Sequence, residues 1–232
     1  MGEQITDFLK GIRIEPKDLG IYQTAFTHRS FLNESKDTSI SNERLEFLGD
    51  SILSYIISSH IYMLRPQDEE GELTNLRSYI IKTESLAKAA KELELGQLLR
   101  MSRGEAASGG QDNTQLLANT FEALLGAIFL DAGIEGATKF IHQTLLPLFA
   151  AELISGPPKD AKSQLQEVAQ EKAKLSPRYR VLKTSGPDHA KKFMVGVYLN
   201  NKEVGKGQGS SKQQAEEEAA KQALTQLTKA SI

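Results

Sequence analysis

Residues 42–51 read Asn42-Glu43-Arg44-Leu45-Glu46-Phe47-Leu48-Gly49-Asp50-Ser51, with Glu43, Glu46 and Asp50 three and four positions apart. On a helix of about 100° per residue the three carboxylates share a sector of about 60°. Leu45, Leu48 and Ile52 fall on a separate apolar face. Three like charges so placed repel one another unless a cation sits among them. A solvated acidic face paired with Arg44 or Arg77 would meet the same need. A second segment, 116–130, is a nearly continuous apolar helix that carries Asn119 and Glu122 one turn apart. An ionised carboxylate inside such a helix is costly unless it is paired or bound to a metal. Taken together, the two segments predict one oxygen-rich site for a hard divalent cation such as Mg²⁺. Mg²⁺ beside a phosphate suits phosphodiester hydrolysis, because it activates water and neutralises transition-state charge.

Competing chemistries find little support. The 232 residues contain no Cys, which removes disulfides, thiolate metal sites and a Cys nucleophile. No Ser-His-Asp arrangement is evident. Zero Cys fits a reducing compartment, and a cytoplasmic location is expected. No uninterrupted apolar run reaches the roughly 18 residues needed to cross a bilayer, so no membrane association is expected. The first ten residues lack the apolar stretch of a signal peptide. Gly2 and Thr6 fit the loose N-myristoylation pattern, a match short enough to arise by chance.

Charge divides the chain. Residues 1–159 hold 15 Lys+Arg against 22 Asp+Glu, and residues 160–232 hold 13 against 8. An acidic large part joined to a basic small part predicts two domains with different partners, the basic one suited to a polyanion. Ser155-Gly156-Pro157-Pro158-Lys159-Asp160 has linker composition.

Helical periodicity recurs near 4–12, 17–30, 42–64, 71–80, 83–94, 113–132 and 135–153. No strand is expected before the linker. Beyond it, 160–173 reads as a helix and 178–184 as extended. In 191–199, Phe193, Val195, Val197 and Leu199 alternate with Lys192, Met194, Gly196 and Tyr198, a strand pattern. Asn200-Asn201 suits a tight turn into a return strand over 202–208. From Lys212, Ala215, Ala219, Ala223 and Leu227 restore the helical period. The expected fold is an all-α domain over 1–154, a linker over 155–160 and a small α-β-β-β-α domain over 161–230.

The run from Asn42 to Ser51 resembles the signature of the ribonuclease III family. The resemblance extends to Thr27-His28-Arg29-Ser30, Glu70-Gly71, Ser108-Gly109-Gly110 and the helix around Glu122, in that order. The carboxy-terminal part resembles a double-stranded RNA-binding domain. The likeness implies an endonuclease that cuts both strands of duplex RNA as a homodimer, leaving 5′-phosphates and short 3′ overhangs, with ribosomal precursors among its targets. By resemblance, Glu46, Asp50, Asn119 and Glu122 would ligate catalytic Mg²⁺, with Mn²⁺ as a substitute. Glu43 and Glu70 would share the same valley, and Phe47 would enter a socket on the partner.

Asn119 departs from the family pattern, which usually has Asp there. An amide oxygen still ligates Mg²⁺ but brings no charge. Two readings follow: a working enzyme with a tolerated variant, favoured because the other five acidic positions are present, or a duplex-RNA binder that cuts weakly. In the basic part, Ser163 and Gln166 lie one turn apart as hydrogen-bonding types for a minor groove. His189 sits in the Gly186-Pro187-Asp188-His189 loop, which resembles the family's groove-reading loop. Ser211 and Lys212 open the last helix, where N–H groups and positive charge suit a phosphate. Gln213 stands where the family often has a second Lys.

Overall fold

A computed structural model describes residues 2–34, 40–158, 160–187 and 190–229. The chain divides into two compact units, Met1–Pro157 and Pro158–Ile232.

The first unit is helical: α1 (Gly2–Gly11), α2 (Leu19–Ala25), α3 (Arg29–Leu32), α4 (Glu43–Leu64), α5 (Glu70–Ile81), α6 (Thr83–Glu92), α7 (Arg103–Ala107), α8 (Thr114–Thr144) and α9 (Ala150–Ser155), with short 3₁₀ turns between some of them. α4 and α8 form its centre. α4 buries Leu45, Leu53, Ile56, Ile57 and Ile61, while α8 buries Phe121, Leu124, Leu125 and Ile128. Their backbones touch at two glycines. A Cβ on Gly49 would stand 1.8 Å from the Glu122 carbonyl oxygen, and one on Gly126 would stand 2.3 Å from that of Leu45. No side chain fits between the helices there, so Gly is required on both sides.

Two expectations need correction and a third needs completing. The helix read over 17–30 is interrupted. α2 ends at Ala25, Thr27 bridges to Arg100, and His28 caps the separate turn α3 by accepting from Ser30 N. Tertiary backbone bonds win over local periodicity here: His28 N donates to Arg100 O, Arg100 N to Phe26 O and Asn42 N to Thr27 O. The helix read over 135–153 also divides, because Leu146–Phe149, with Pro147, forms a 3₁₀ turn before α9. Finally, α8 is long and apolar enough to cross a membrane by length and composition. A search for uninterrupted apolar runs misses it, since polar residues punctuate it. Most of its apolar stretch is buried inside this unit, and Gly133, at φ +70°, breaks its helical path.

Asp131 is a buried anchor on α8. Its carboxylate accepts from Lys17 N and Asp18 N at 3.1 Å and from the Tyr22 hydroxyl at 3.0 Å. These bonds satisfy a buried charge and fix the entry to α2 against α8.

The second unit runs α10 (Ala161–Ala173), β1 (Arg178–Ser185), β2 (Lys192–Leu199), β3 (Lys202–Gly209) and α11 (Lys212–Lys229). The sheet is antiparallel in the order β1-β2-β3. Asn200 takes φ +55° at the β2–β3 turn, a conformation Asn tolerates. Ala215, Ala219 and Ala223 of α11 are fully buried, their small side chains allowing the helix to lie close to β3. Val197 and Leu165 complete the centre of this core.

Candidate metal centre and RNA-binding face

The α4–α8 contact gathers the predicted carboxylates. Glu46 and Asp50 stand one turn apart on α4, beside Glu122 on α8. Burial, then the Asp50 charge, then the Glu46 charge push the Glu122 carboxyl up to about 7. Burial also raises Glu46, with Glu43 and Asp50 adding to the shift. The Asn119 amide opposes it by hydrogen bonding to Glu46, which favours the ionised form. The Asn119 Oδ1 accepts from Gln115 Nε2 at 2.7 Å.

Glu43 occupies the edge of this group. Its two oxygens accept from Arg29 Nη1 at 3.2 Å and Ser41 Oγ at 3.0 Å. Among the described residues, the ion pair to this acidic face comes from Arg29 and not from Arg44 or Arg77; Arg77 instead donates to Ser58 Oγ. Sequence spacing gave no sign of this partner, because Arg29 arrives through the Thr27–Arg100 bridge. Glu70 opens α5 and lines a different surface hollow with Ser58, Tyr62, Asp68 and Arg77. It is not among the charges that raise Glu46 or Glu122.

Among the described residues, no three His, Asp or Glu side chains converge as a ready-made metal cluster. The Asp50 and Glu46 charges nonetheless raise the proton affinity of Glu122, and those of Glu43 and Asp50 that of Glu46, with the Asn119 amide beside them. In chemistry this donor set fits a hard divalent cation: all oxygen, mostly anionic, with uncompensated charge held partly away from water.

Phe47 lies on the carboxylate side of α4 and not in its core, with 78% of its surface exposed. An apolar hollow beside it is lined by Ile21, Ile40, Leu45, Leu48 and Leu130.

In the second unit, Ser163 and Gln166 are exposed on one side of α10, and Gln166 Nε2 donates to Ser176 Oγ at 3.3 Å. Ser163 and Ser211 line one hollow together with Lys162, Gln208 and Gln213. Ser211 Oγ is engaged as a helix cap, accepting from Gln214 N at 3.2 Å. The Gln214 side chain returns to Ser210, accepting from its N at 3.1 Å and from its Oγ at 2.6 Å. Lys212 is exposed at the first position of α11. His189 lies outside the described residues.

These two units have known counterparts. Residues 18–148 match the family described as Ribonuclease-III-like, and residues 161–227 match the Double-stranded RNA binding motif. Ribonuclease 3 of Enterococcus faecalis is 42% identical over 231 residues, covering 98% of this chain and 99% of that protein. Ribonuclease 3 of Borreliella afzelii is 42% identical over 221 residues, covering 95% and 90%. Among solved structures, the nuclease domain of ribonuclease III from Campylobacter jejuni superposes with a TM-score of 0.59 at 34% identity, over 63% of this chain and 99% of that one. That structure is described as having a region involved in dimer formation. A helical nuclease domain followed by a duplex-RNA-binding domain is the class these features define. The chain belongs to the ribonuclease III family and is an endoribonuclease of double-stranded RNA. The reading of Asn119 as the mark of a non-catalytic binder finds no support in these likenesses.

Proposed function

We propose that this endoribonuclease hydrolyses duplex RNA with Mg²⁺ held by Glu46, Asp50, Asn119 and Glu122, Mn²⁺ serving as a substitute. The observation that carries the reading is the close backbone contact of α4 and α8 at Gly49 and Gly126, which brings Glu46 and Asp50 beside Glu122. Bound there, the cation would activate water and neutralise charge on the phosphate. The chain's own groups supply the rest. Burial and the Asp50 and Glu46 charges raise the proton affinity of Glu122, and positive charge arriving there would favour its ionised form. Glu43, steadied by Arg29 and Ser41, sets the negative potential at the edge of the site. Glu70 is proposed to join substrate placement from its separate hollow.

The second unit supplies duplex affinity, since Ser163, Gln166, Ser211 and Lys212, with His189, suit minor-groove hydroxyls and phosphates. The proposed domains are 1–154 and 161–230. A homodimer is proposed to form through Phe47, and cuts on both strands would leave 5′-phosphates and short 3′ overhangs. Ribosomal precursors and other structured RNAs, processed in the cytoplasm, are the proposed targets. Incubating a labelled perfect RNA duplex with Mg²⁺ and with EDTA tests this reading. Mg²⁺-dependent paired cuts are expected, and equal cutting in EDTA would overturn it.

A further inference from the structure

We propose that the outer face of the second unit's sheet binds single-stranded RNA, such as a tail flanking the duplex to be cut. Charge in this unit is segregated by element. α10 and α11 together carry five Lys and five Glu, whereas the three strands carry six Lys or Arg and one Glu. Alternation divides the strand residues between two faces. Val195, Val197, Gly205 and Gly207 face α11: both valines are fully buried, and a Cβ on either glycine would meet the backbone of Ala219. Met194, Gly196, Tyr198 and Lys206 therefore face the other way. The register sets Lys183, Arg180 and Arg178 opposite Met194, Gly196 and Tyr198, and Lys192 falls on the same side of β2. Arg178, Arg180, Lys183, Lys192 and Lys206 are all exposed. Among the described strand residues Glu203 is the one carboxylate, and it is engaged by the Tyr198 hydroxyl and by Lys206 Nζ, each at 3.1 Å. The Arg180 guanidinium lies 5.2 Å from the Tyr198 ring centroid. A Cβ on Gly196 would stand 3.1 Å from that ring, so glycine lets the ring lie across the strand. Cations around an aromatic–guanidinium pair suit an unpaired strand, whose phosphates meet the charges and whose bases stack. A duplex hides its base faces and gives the pair nothing to stack on. The groups assigned to duplex RNA, Ser163, Gln166, Ser211 and Lys212, belong to α10 and the start of α11, so the sheet face is a separate surface.

The test compares two labelled RNAs by gel shift with the full chain in EDTA: a blunt duplex, and the same duplex with a single-stranded 3′ tail of about eight nucleotides. The tail should raise affinity about fivefold or more, the worth of one stacked base. Affinity for the tailed RNA should also fall more steeply with salt, by about 0.7 in log–log slope for each further phosphate met. Tyr198→Leu keeps apolar cover over Gly196 and removes the aromatic ring. It should abolish most of the gain from the tail while affinity for the blunt duplex stays. Arg180→Ala changes an exposed residue, leaves the strand's backbone bonds in place, and should shrink both the gain and the extra slope. Equal affinity of the intact chain for the two RNAs would overturn the proposal, as would a gain that survives both variants. An equal loss on both RNAs would make the face a duplex contact and overturn it as well. If the tail adds nothing while polyglutamate binds and Arg180→Ala weakens that binding, the face docks an acidic protein and the proposal fails.

Discussion

Gly49 of α4 rests on the backbone carbonyl of Glu122 in α8, with space for a hydrogen atom and nothing larger. This contact determines how far Glu46 and Asp50 lie from Glu122. Ala is favoured over Gly inside a helix by roughly 1 kcal/mol, so Gly49→Ala would stabilise an isolated α4. In the protein, its methyl would meet a backbone atom that cannot rotate away. We expect the overlap to win, with a net loss of about 1–3 kcal/mol, readable in a denaturant titration. Cation affinity should fall in the same variant, because the two helices must separate.

Glu122→Gln keeps the shape of the side chain and removes its charge. RNA cutting should be lost while duplex binding, assigned to the second unit, persists. A cleavage gel and a binding gel on the same preparation check this. Loss of both would count against the division of labour between the units.

Glu122 also gives the site a pH dependence. Burial and the neighbouring Asp50 and Glu46 charges raise its carboxyl to about 7, from an ordinary value of 4.5. Between those values the folded protein binds a proton that the unfolded chain has lost. Its contribution to stability is therefore complete below about 4.5 and declines as pH rises to about 7. Cation binding displaces the same proton and should tighten as pH rises through 7. Titration calorimetry in buffers of different ionisation enthalpy would detect the released proton. Glu122→Gln should abolish that release and flatten the stability decline, measured as melting temperature against pH.

The carboxylate face was legible because helical spacing alone groups Glu43, Glu46 and Asp50. The second unit was legible too: strict alternation in β2 and the four-residue Ala repeat in α11 leave little freedom of assignment. The parts that were not legible depend on long-range backbone bonds. Nothing local in Thr27-His28-Arg29-Ser30 announces a bridge to Arg100, so the segment read as continuing helix. For the same reason Arg29 did not stand out as the partner of Glu43. Asp131 was equally silent, since its three donors lie 109 to 114 residues away in the chain.

Lys212 offers a test of the RNA-binding face that leaves the nuclease unit untouched. It is exposed at the start of α11, where its charge adds to the positive end of the helix dipole. Lys212→Ala should weaken duplex RNA binding at low salt and by less at high salt. A residue that meets one phosphate contributes about 1 to the slope of log affinity against log salt. Filter binding across a KCl series should show the slope falling by about that amount. An unchanged slope would place Lys212 away from the RNA.

Phe47 tests the proposed assembly. A side chain this large and apolar, 78% exposed beside a hollow lined by Ile21, Ile40 and Leu130, forms a surface that favours burial. In a two-fold pair the ring of each chain can enter the hollow of the other, so one substitution removes two contacts. Phe47→Ala should therefore shift the protein toward monomer, readable as concentration-dependent mass in sedimentation. Burying a Phe side chain is worth about 1.5–3 kcal/mol, so two lost contacts weaken the pair by roughly two to four orders of magnitude in dissociation constant. Cation affinity should change little, because Glu46, Asp50, Asn119 and Glu122 belong to one chain. A variant that remained fully dimeric at nanomolar concentration would move the interface away from Phe47.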